Sequence, residues 1–173
     1  MLKRGDALNF EVFDTCLGWM GVIGSTYGLR KVILPQKSKK AVLNQIVCCG
    51  CGPESQSHVC FGDLPDRLRR YLGGELVVFD DKPDPTGTTC FQQSVWQKAC
   101  NIPYGETRSY SWVASQLGLP KASRAVGQAL ARNPLPIVIP CHRVIGSNGK
   151  LVGFGGGMEM KKNLLRLEQA TVD

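Results

Sequence analysis

A change of pattern near the middle of the chain limits its possible folds most. The first half opens with three strand-like segments, Asn9 to Thr15, Trp19 to Ser25 and Gly28 to Leu34, joined by short turns. These segments predict a small antiparallel meander. Residues Asp80 to Thr89, with two prolines and several small polar residues, predict a linker. The second half has mainly helical periodicity, so we expect an α+β chain with domains at residues 1–85 and 86–173.

Apolar spacing predicts helices in both halves. In the first half they cover Ser38 to Val47 and Leu64 to Leu72. In the second half they cover Phe91 to Cys100, Tyr110 to Leu117, about Pro120 to Arg132, and Met158 to about Glu168. Ser109 is expected to cap the helix at Tyr110, and Pro120 to occupy the first position of the next helix.

Composition indicates a globular protein with an anionic partner. The chain has 173 residues and a mean hydropathy of -0.10. We expect an intracellular location, cytoplasmic in a prokaryote or nuclear in a eukaryote, because neither an apolar span nor a secretory signal is found. Residues 1–90 carry 11 basic and 10 acidic side chains, whereas residues 91–173 carry 10 and 4. A basic second half favours nucleic acid as the partner and no membrane; a merely soluble basic surface is the alternative.

A thiol and an imidazole are adjacent at Cys141 and His142, in a chain with only two histidines. The thiolate is the nucleophilic form of cysteine, and a neighbouring base populates it. Cysteines are also often buried structural residues, and eight are present. The apolar run 137–139 predicts a buried strand that Pro140 closes, which would fix Cys141 at a strand end. Glu168 is the residue expected to orient the imidazole, with a solvated surface glutamate as the alternative.

Two short helices precede this motif at helix-turn-helix spacing. Small residues leave the second helix nearly bare: Ala122, Ser123, Ala125, Gly127, Ala129 and Ala131. Arg124, Gln128 and Arg132 recur at intervals of four and form one polar stripe. A slim helix with few basic groups fits the DNA backbone or minor groove better than base reading in the major groove. Tight packing against the core explains the alanines equally well.

Cysteines also cluster in the first half. Cys48 and Cys51 have a Cys-x-x-Cys spacing, and His58 with Cys60 would complete four zinc ligands, although the spacing of that second pair is unusual. An oxidisable surface loop and a loop without a chemical role are the alternatives. No cofactor is required by the rest of the sequence, so a structural zinc is at most an addition.

In its motifs the second half resembles the O6-alkylguanine-DNA alkyltransferase family. The resemblance covers about Phe91 to Glu168 and lies in Ser109-Tyr110, residues 121–127, Asn133-Pro134, Pro140 to Val144, the glycine-rich loop Gly153 to Gly157, and Leu164 to Glu168. The first half matches the family's first domain only in size and strand-rich character; that domain has a ribonuclease H-like fold. The resemblance implies a monomer that binds alkylated double-stranded DNA.

The resemblance also implies a reaction and a set of residue roles. Cys141 would take an alkyl group from O6 of guanine, and possible O4-alkylthymine activity is left open. His142, through water, and Glu168 would generate the thiolate, and Tyr110 would rotate the 3′ phosphate and protonate the guanine. Arg124 would fill the gap left by the flipped base. Asn133 would brace the turn before the active site, and Val144 would read the guanine edge through its backbone.

The glycine-rich loop is expected to be a lid over the base pocket, with Phe154, Gly155 and Gly156 at the substrate. Phe154 stands where the family often has tyrosine, and Gly155 where a small residue or serine contacts O6. Before this loop, residues 147–150 predict a hairpin turn between Val144-Ile145 and Leu151-Val152.

Three other functions compete with alkyl transfer. A relative that binds alkylated DNA without repairing it would lack the cysteine, and a thiol-based transcription sensor would need base-reading side chains. A cysteine hydrolase would form a thioester that water cleaves, and would turn over. Alkyl transfer forms a thioether that water does not cleave, so the protein would act once per molecule.

Overall fold

The computed structural model describes residues 8–57 and 61–169. The chain divides into two compact units, Met1–Pro85 and Thr86–Asp173. The first unit contains an antiparallel sheet with helices, and the second is mainly helical with one short two-stranded sheet. The mixed α and β class expected from the sequence is therefore confirmed.

The sheet of the first unit is a three-stranded meander. Its strands are β1 (Asn9–Thr15), β2 (Gly18–Ser25) and β3 (Gly28–Gln36), in the order β1-β2-β3 and antiparallel throughout. Helix α1 (Lys39–Cys48) begins after Ser38, whose side chain accepts a hydrogen bond from the Ala41 amide. Helix α2 (Leu64–Leu72) has the predicted bounds. One face of the sheet and α1 enclose a core of buried residues: Phe10, Val12, Ile23, Ile33, Val42, Ile46 and Cys51.

The predicted linker is partly anchored to the first unit. The Leu29 amide donates to the Lys82 carbonyl at 2.8 Å, and the Asp84 amide donates to the Leu29 carbonyl at 2.8 Å. Asp84 is buried, and its carboxylate accepts from Arg30 Nη1 at 3.0 Å and from Ser25 Oγ at 2.7 Å. The prolines and small residues thus mark an extended segment of which residues 82–84 pair with the start of β3.

Helix α3 (Cys90–Cys100) opens the second unit behind a capping box, in which Thr89 and Gln92 each bond the other's backbone amide. Helices α4 (Tyr110–Gln116) and α5 (Ser123–Ala131) follow, and α6 (Met158–Leu167) comes last. Ser109 caps α4 as predicted, by accepting from the Trp112 amide. The indole of the buried Trp96 donates to the Ala129 carbonyl at 2.9 Å, which joins α3 to α5.

The start of α5 was predicted three residues too early. Pro120 and Lys121 form a turn in which the Ala122 amide donates to the Leu119 carbonyl at 2.8 Å, and the helix begins only at Ser123. Pro120 therefore lies within the connection between the helices instead of occupying the first helical position. The connection is longer than expected, and α5 is correspondingly shorter.

The predicted strand at residues 137–139 is wrong. This segment is buried but forms a turn, with Ile137 at a φ of 77° and an isolated bridge between Pro136 and Ile139. Proline nitrogens carry no hydrogen to donate, so the three prolines at 134, 136 and 140 prevent a regular ladder. The run is apolar because it is buried, and its backbone makes hydrogen bonds to residues close by in the sequence, such as that from the Ile139 amide to the Leu135 carbonyl.

The predicted hairpin after the cysteine motif is also wrong. Its turn forms, with the Gly146 amide donating to the Lys150 carbonyl at 2.8 Å, but residues 151–152 form no strand. Strand β5 (Val144–Ile145) instead pairs in parallel with β4 (Arg108–Ser109). The pairing fixes the start of α4 next to the cysteine motif, because Tyr110 follows β4 directly. Among the described residues, no helix has the length and apolar character needed to cross a membrane.

Candidate active site

Cys141 starts a short 3₁₀ helix, Cys141–Arg143, that follows the buried turn. The Cys141 amide donates to the Ile139 carbonyl at 2.7 Å. Asn133 Nδ2 donates to the same carbonyl at 2.9 Å and to Cys141 Sγ at 3.1 Å, while Asn133 Oδ1 accepts from the Leu135 amide at 2.9 Å. One asparagine therefore closes the turn and holds the sulfur. The bracing predicted for Asn133 has this geometry, with the added contact to the thiol.

The 3₁₀ helix aims the side chains of its next two residues at Glu168. His142 Nε2 lies 2.8 Å from Glu168 Oε1, and Arg143 reaches both carboxylate oxygens, Nε to Oε2 at 2.9 Å and Nη2 to Oε1 at 3.0 Å. Glu168 is 2% exposed and His142 is 0% exposed. The alternative of a solvated surface glutamate is wrong, because this carboxylate is sealed between an imidazole and a guanidinium.

The positive charge of Arg143 determines which atoms of His142 and Glu168 carry a proton. A carboxylate that accepts two guanidinium hydrogen bonds stays ionised, so the hydrogen between His142 and Glu168 belongs to His142 Nε2. Burial lowers the pKa of His142, and Glu168 only partly offsets that effect. The imidazole is consequently neutral near pH 7, and its acceptor nitrogen is Nδ1.

The thiol is also protonated at rest. Cys141 is 8% exposed, and burial raises its pKa; the hydrogen bond from Asn133 and the charge of Lys161 act in the opposite direction. The resting pair is therefore a thiol and a neutral imidazole. A reaction at sulfur then needs a path for its proton, and the buried His142 Nδ1 is the basic atom that the site provides.

A cavity of about 590 Å³ opens at Cys141. The predicted site residues on its wall are Tyr110, Ser123, Arg124, Cys141, Phe154 and Gly155. Gly156 lies outside the wall but follows Gly155 directly, and the buried Val144 is also outside the wall, between Cys141 and Gly146. A purine is planar and small enough for a cavity of this size, which is also within the range of ordinary ligand pockets.

Tyr110 lies on the cavity wall and donates its hydroxyl hydrogen to the Val152 carbonyl at 3.0 Å. Burial raises the pKa of this phenol, and the nearby Cys141 raises it further. The hydroxyl is thus a protonated donor at neutral pH. Gly127 faces the Tyr110 ring, where an added Cβ would be at 3.7 Å from Cε1, so α5 passes close to this side chain.

All three residues of the predicted polar stripe, Arg124, Gln128 and Arg132, are exposed. Arg124 and Arg132 flank the helix at its first turn and its C-cap, and Arg124 also lines the cavity. Ala122 precedes the helix as its N-cap, and Ser123 is its first residue. A positive side chain thus stands at the edge of the pocket on a helix with little bulk, which is the arrangement needed to contact a phosphate or an emptied base position.

Two residues of this site were missed at the sequence level, Arg143 and Lys161. Lys161 is 0% exposed, and its Nζ donates to the carbonyls of Val144 at 2.7 Å and Val152 at 3.0 Å. A signal for it exists in the sequence: Lys161 precedes Leu164, Leu165 and Glu168 by three, four and seven residues. It therefore shares the buried face of α6 with them. Arg143 lies in the motif Pro140 to Val144, but the sequence alone suggested no role for it.

The proposed zinc ligands are only partly within the described residues. Cys51 is buried in the core of the first unit, whereas Cys48 is exposed. His58 and Cys60 lie outside the described residues. Within residues 8–57 and 61–169, no three histidine, cysteine or acidic side chains form a group able to bind a metal ion. The opposite environments of Cys48 and Cys51 argue against their sharing one ion.

Fold and site together define a thiol protein with a buried cysteine on the wall of a pocket, beside a slim helix that carries arginine. A family model described as 6-O-methylguanine DNA methyltransferase, DNA binding domain, matches residues 90–170. The methylated-DNA--protein-cysteine methyltransferase of Methanosarcina acetivorans is 42% identical over 161 residues, 92% of this chain and 97% of the relative. The protein of the same name from Mycobacterium tuberculosis is 53% identical over 110 residues, 64% of this chain and 66% of the relative.

Solved structures resemble the chain over nearly its whole length. Mycobacterium tuberculosis OGT in complex with DNA has a TM-score of 0.75 at 40% identity, covering 93% of this chain and 92% of that one. The O6-methylguanine-DNA methyltransferase of Pyrococcus kodakaraensis has a TM-score of 0.71 at 26% identity, covering 92% and 98%. The chain belongs to the methylated-DNA--protein-cysteine methyltransferase family.

Proposed function

We propose that the chain repairs DNA by moving the alkyl group of O6-alkylguanine onto Cys141. The observation that carries this is the position of Cys141 at the wall of a cavity large enough for a base, with Asn133 hydrogen-bonded to its sulfur and the buried His142 and Glu168 next to it. In the reaction a bond forms between sulfur and the alkyl carbon, and the bond between that carbon and O6 breaks. The thioether product resists water, so each molecule acts once.

The proton of the thiol leaves toward His142. Glu168 accepts from Nε2, so Nδ1 is the nitrogen that receives the proton through a water molecule. The imidazolium that forms lies next to the Glu168 carboxylate, which raises the pKa of His142. Arg143 keeps that carboxylate ionised and in position through two hydrogen bonds. The cluster thus supplies a base that is neutral at rest and stabilised once it is charged.

Tyr110 supplies the proton that the leaving guanine needs. Its hydroxyl stays protonated at neutral pH because burial raises its pKa, and it lies on the wall of the same cavity as Cys141. Negative charge develops on the purine as the alkyl carbon departs, and a phenol is a suitable acid for it. To act, the hydroxyl exchanges its bond to the Val152 carbonyl for one to the base. Rotation of the 3′ phosphate past the Tyr110 ring completes the role we infer for this residue.

Helices α4 and α5 form the DNA-binding helix pair of this proposal, in helix-turn-helix fashion. The base must leave the duplex to reach a cysteine at the pocket wall, at an unstacking cost of a few kcal/mol. Arg124 stands at the pocket edge and takes the vacated place, while Ala122, Ser123, Gln128 and Arg132 face the backbone. A relative of similar fold was solved in complex with DNA, which supports this arrangement.

The loop after β5 holds the flipped base in the pocket. The backbone at Val144 reads the guanine edge, and Phe154, Gly155 and Gly156 cover it. Phe154 stacks on a base without donating a hydrogen bond, and Gly155 leaves space beside the reacting carbon. That space is also suited to O4-alkylthymine. No cofactor enters the chemistry, because the thiol, the imidazole and the phenol account for every bond and proton.

The remaining expectations concern the whole chain. We infer that residues 1–85 form a ribonuclease H-like domain and residues 86–173 the DNA-binding and alkyl-acceptor domain, acting as a monomer. The similarity of the chain to relatives over 92% or more of its length supports a two-domain arrangement of this kind. Its substrate, alkylated genomic DNA, implies an intracellular place of work, nuclear in a cell with a nucleus.

The test is the intact mass of the protein after incubation with duplex DNA that carries one O6-methylguanine. We expect one methyl group per protein molecule, on Cys141, and none in Cys141→Ala. Cys90→Ala, which changes an exposed cysteine at the start of α3, serves as the matched control and is expected to be methylated fully. Repeated turnover without an adduct would instead identify a hydrolase, and binding of the lesion without any transfer would identify a recognition protein.

A further inference from the structure

Lys161 is a buried cation for which the proposed reaction gives no role so far. Glu168 is the C-cap of its helix, α6, so the same element provides the carboxylate that bonds His142 and an ammonium group whose charge acts on Cys141. A lysine that is 0% exposed is costly unless it is hydrogen-bonded, and two carbonyl oxygens accept from it here. Substitution by an apolar residue would avoid the cost of burying a charge, so a function for the charge is expected.

The two carbonyls belong to the ends of the segment that borders the pocket. Val144 follows the 3₁₀ helix of Cys141 directly, and Val152 precedes the glycine-rich loop. Lys161 Nζ bonds both, at 2.7 and 3.0 Å, so the turn at residues 146–150 is closed by the side chain as well as by its own backbone. The ammonium group is also 5.9 Å from the centroid of the Tyr110 ring.

The negative charge that forms on Cys141 during the reaction needs a positive partner other than Arg143. Glu168 is matched by Arg143, with which it makes two hydrogen bonds. When Cys141 loses its proton, a new negative charge appears in a buried place. The positive charge of Lys161 lowers the pKa of Cys141, and Cys141 in turn raises that of Lys161. The same cation lowers the pKa of His142, so it stabilises the thiolate while keeping the imidazole neutral until the proton moves.

We propose that Lys161 is a positioning residue that acts as the fixed counter-charge of the Cys141 thiolate and ties Val144 to Val152 at the pocket edge. The inference deepens the proposed function and rests on Cys141 being the acceptor. The groups that interact with the ammonium are the Tyr110 ring from α4, Cys141 and His142 from the 3₁₀ helix, and the two carbonyls; Glu168 and Arg143 are bonded to each other, and Glu168 also to His142. Burial lowers the pKa of Lys161 to about 8, so the counter-charge is present at neutral pH and is lost in alkali.

The test is the rate at which iodoacetamide labels Cys141, measured by peptide mass from pH 6 to pH 10. Labelling follows the thiolate and needs no DNA, so it remains informative if alkyl transfer itself fails. Each unit by which the thiol pKa rises lowers the thiolate fraction about tenfold. We expect Lys161→Met to label about tenfold more slowly than the native protein at pH 7, with the difference shrinking above pH 8. Lys161→Arg keeps the charge and should recover part of the rate.

Lys162→Met is the matched control, because Lys162 is the exposed neighbour on α6, and its labelling profile should overlie the native one. An equal loss at every pH in Lys161→Met, without recovery in Lys161→Arg, would assign Lys161 a purely structural role and overturn the proposal. If Lys161→Met does not fold, Cys141→Ser decides: the NMR titration midpoint of Lys161 must fall when the thiolate is removed. An unchanged midpoint refutes the counter-charge.

If labelling behaves as expected while no methyl adduct forms from DNA, the counter-charge stands and the proposed function fails. If the adduct forms but labelling is insensitive to Lys161, the function stands and the counter-charge is refuted. The two proposals are therefore judged separately by the same set of proteins.

Discussion

Single side chains in this site each serve two atoms or more, and Asn133 is the clearest case. Its amide nitrogen donates to both the Ile139 carbonyl and Cys141 Sγ, and its amide oxygen accepts from the Leu135 amide. Removing such a group leaves buried backbone atoms without a partner as well as altering the thiol. Asn133 therefore affects both the conformation of the turn before Cys141 and the reactivity of the Cys141 thiol.

Asn133→Ala is expected to lower the free energy of unfolding by about 1–3 kcal/mol, because it strands buried polar groups of the turn. It should also shift the pH profile of Cys141 labelling upward, since the hydrogen bond from Asn133 lowers the pKa of that thiol. Urea unfolding and the labelling profile measure the two effects. Asn101→Ala, at the exposed C-cap of α3, is the control and should change neither by a comparable amount. A stability loss with an unchanged labelling profile would remove Asn133 from the chemistry.

At the scale of elements, sequence patterns were reliable where one periodicity dominated. Helix α2 has the expected residues and the strands of the meander match to within two residues at their ends, because apolar alternation and the stop at Gly73 determine these elements locally. The apolar run 137–139 was predicted to be a strand, since burial alone produces the same run in a turn. The pairing of β5 with β4 is parallel and joins residues more than thirty positions apart, so no local signal in the sequence announces it.

Helix α5 carries a prediction of its own. Arg124→Ala should slow alkyl transfer from duplex DNA by about tenfold or more, because the emptied base position is no longer filled and the base returns to the stack. Reaction with free O6-benzylguanine, which needs no extrusion, should stay within about twofold of the native rate. Single-turnover rates on both substrates measure this. Lys162→Ala removes a charge elsewhere and should leave both rates near the native values; equal losses on both substrates in Arg124→Ala would refute the role.

Across the whole molecule, the buried His142 connects the site to stability. Its pKa in the folded protein lies below the ordinary 6.5, so in acid the unfolded chain binds a proton that the folded chain does not. Unfolding is then favoured as the pH falls below about 6.5. The slope from one such group reaches about 1.4 kcal/mol per pH unit.

His142→Asn should therefore lose stability less steeply than the native protein between pH 6.5 and pH 5. Urea unfolding at several pH values gives the comparison, and the difference between the two proteins cancels the contribution of other groups. A difference that is constant over this range would show that His142 titrates alike in both states.

Most of the site was predictable from the sequence because its parts stand in short motifs with recognisable order. Cys141, His142, Glu168, Tyr110 and Asn133 were all expected, and the structure brings them to one cluster and its cavity. Lys161 was not expected, since a lysine on a helix is normally solvated and only its register with Leu164 and Leu165 indicated burial. The partner of a buried charge depends on tertiary packing, which no local pattern encodes.

The Val152 carbonyl accepts from Tyr110 and from Lys161 at the same time, each at 3.0 Å. This shared acceptor holds the Tyr110 hydroxyl in a hydrogen-bonded resting position. When a base enters and takes the hydroxyl, the oxygen that is left behind still has its second donor, so the exchange strands no acceptor. Under the proposed mechanism the Tyr110 hydroxyl thus stays close to the reacting base, and it becomes available when its hydrogen bond to Val152 is exchanged for one to the base. A protein molecule that has not yet met a damaged base can therefore keep the Tyr110 hydroxyl hydrogen-bonded and still available for the reaction.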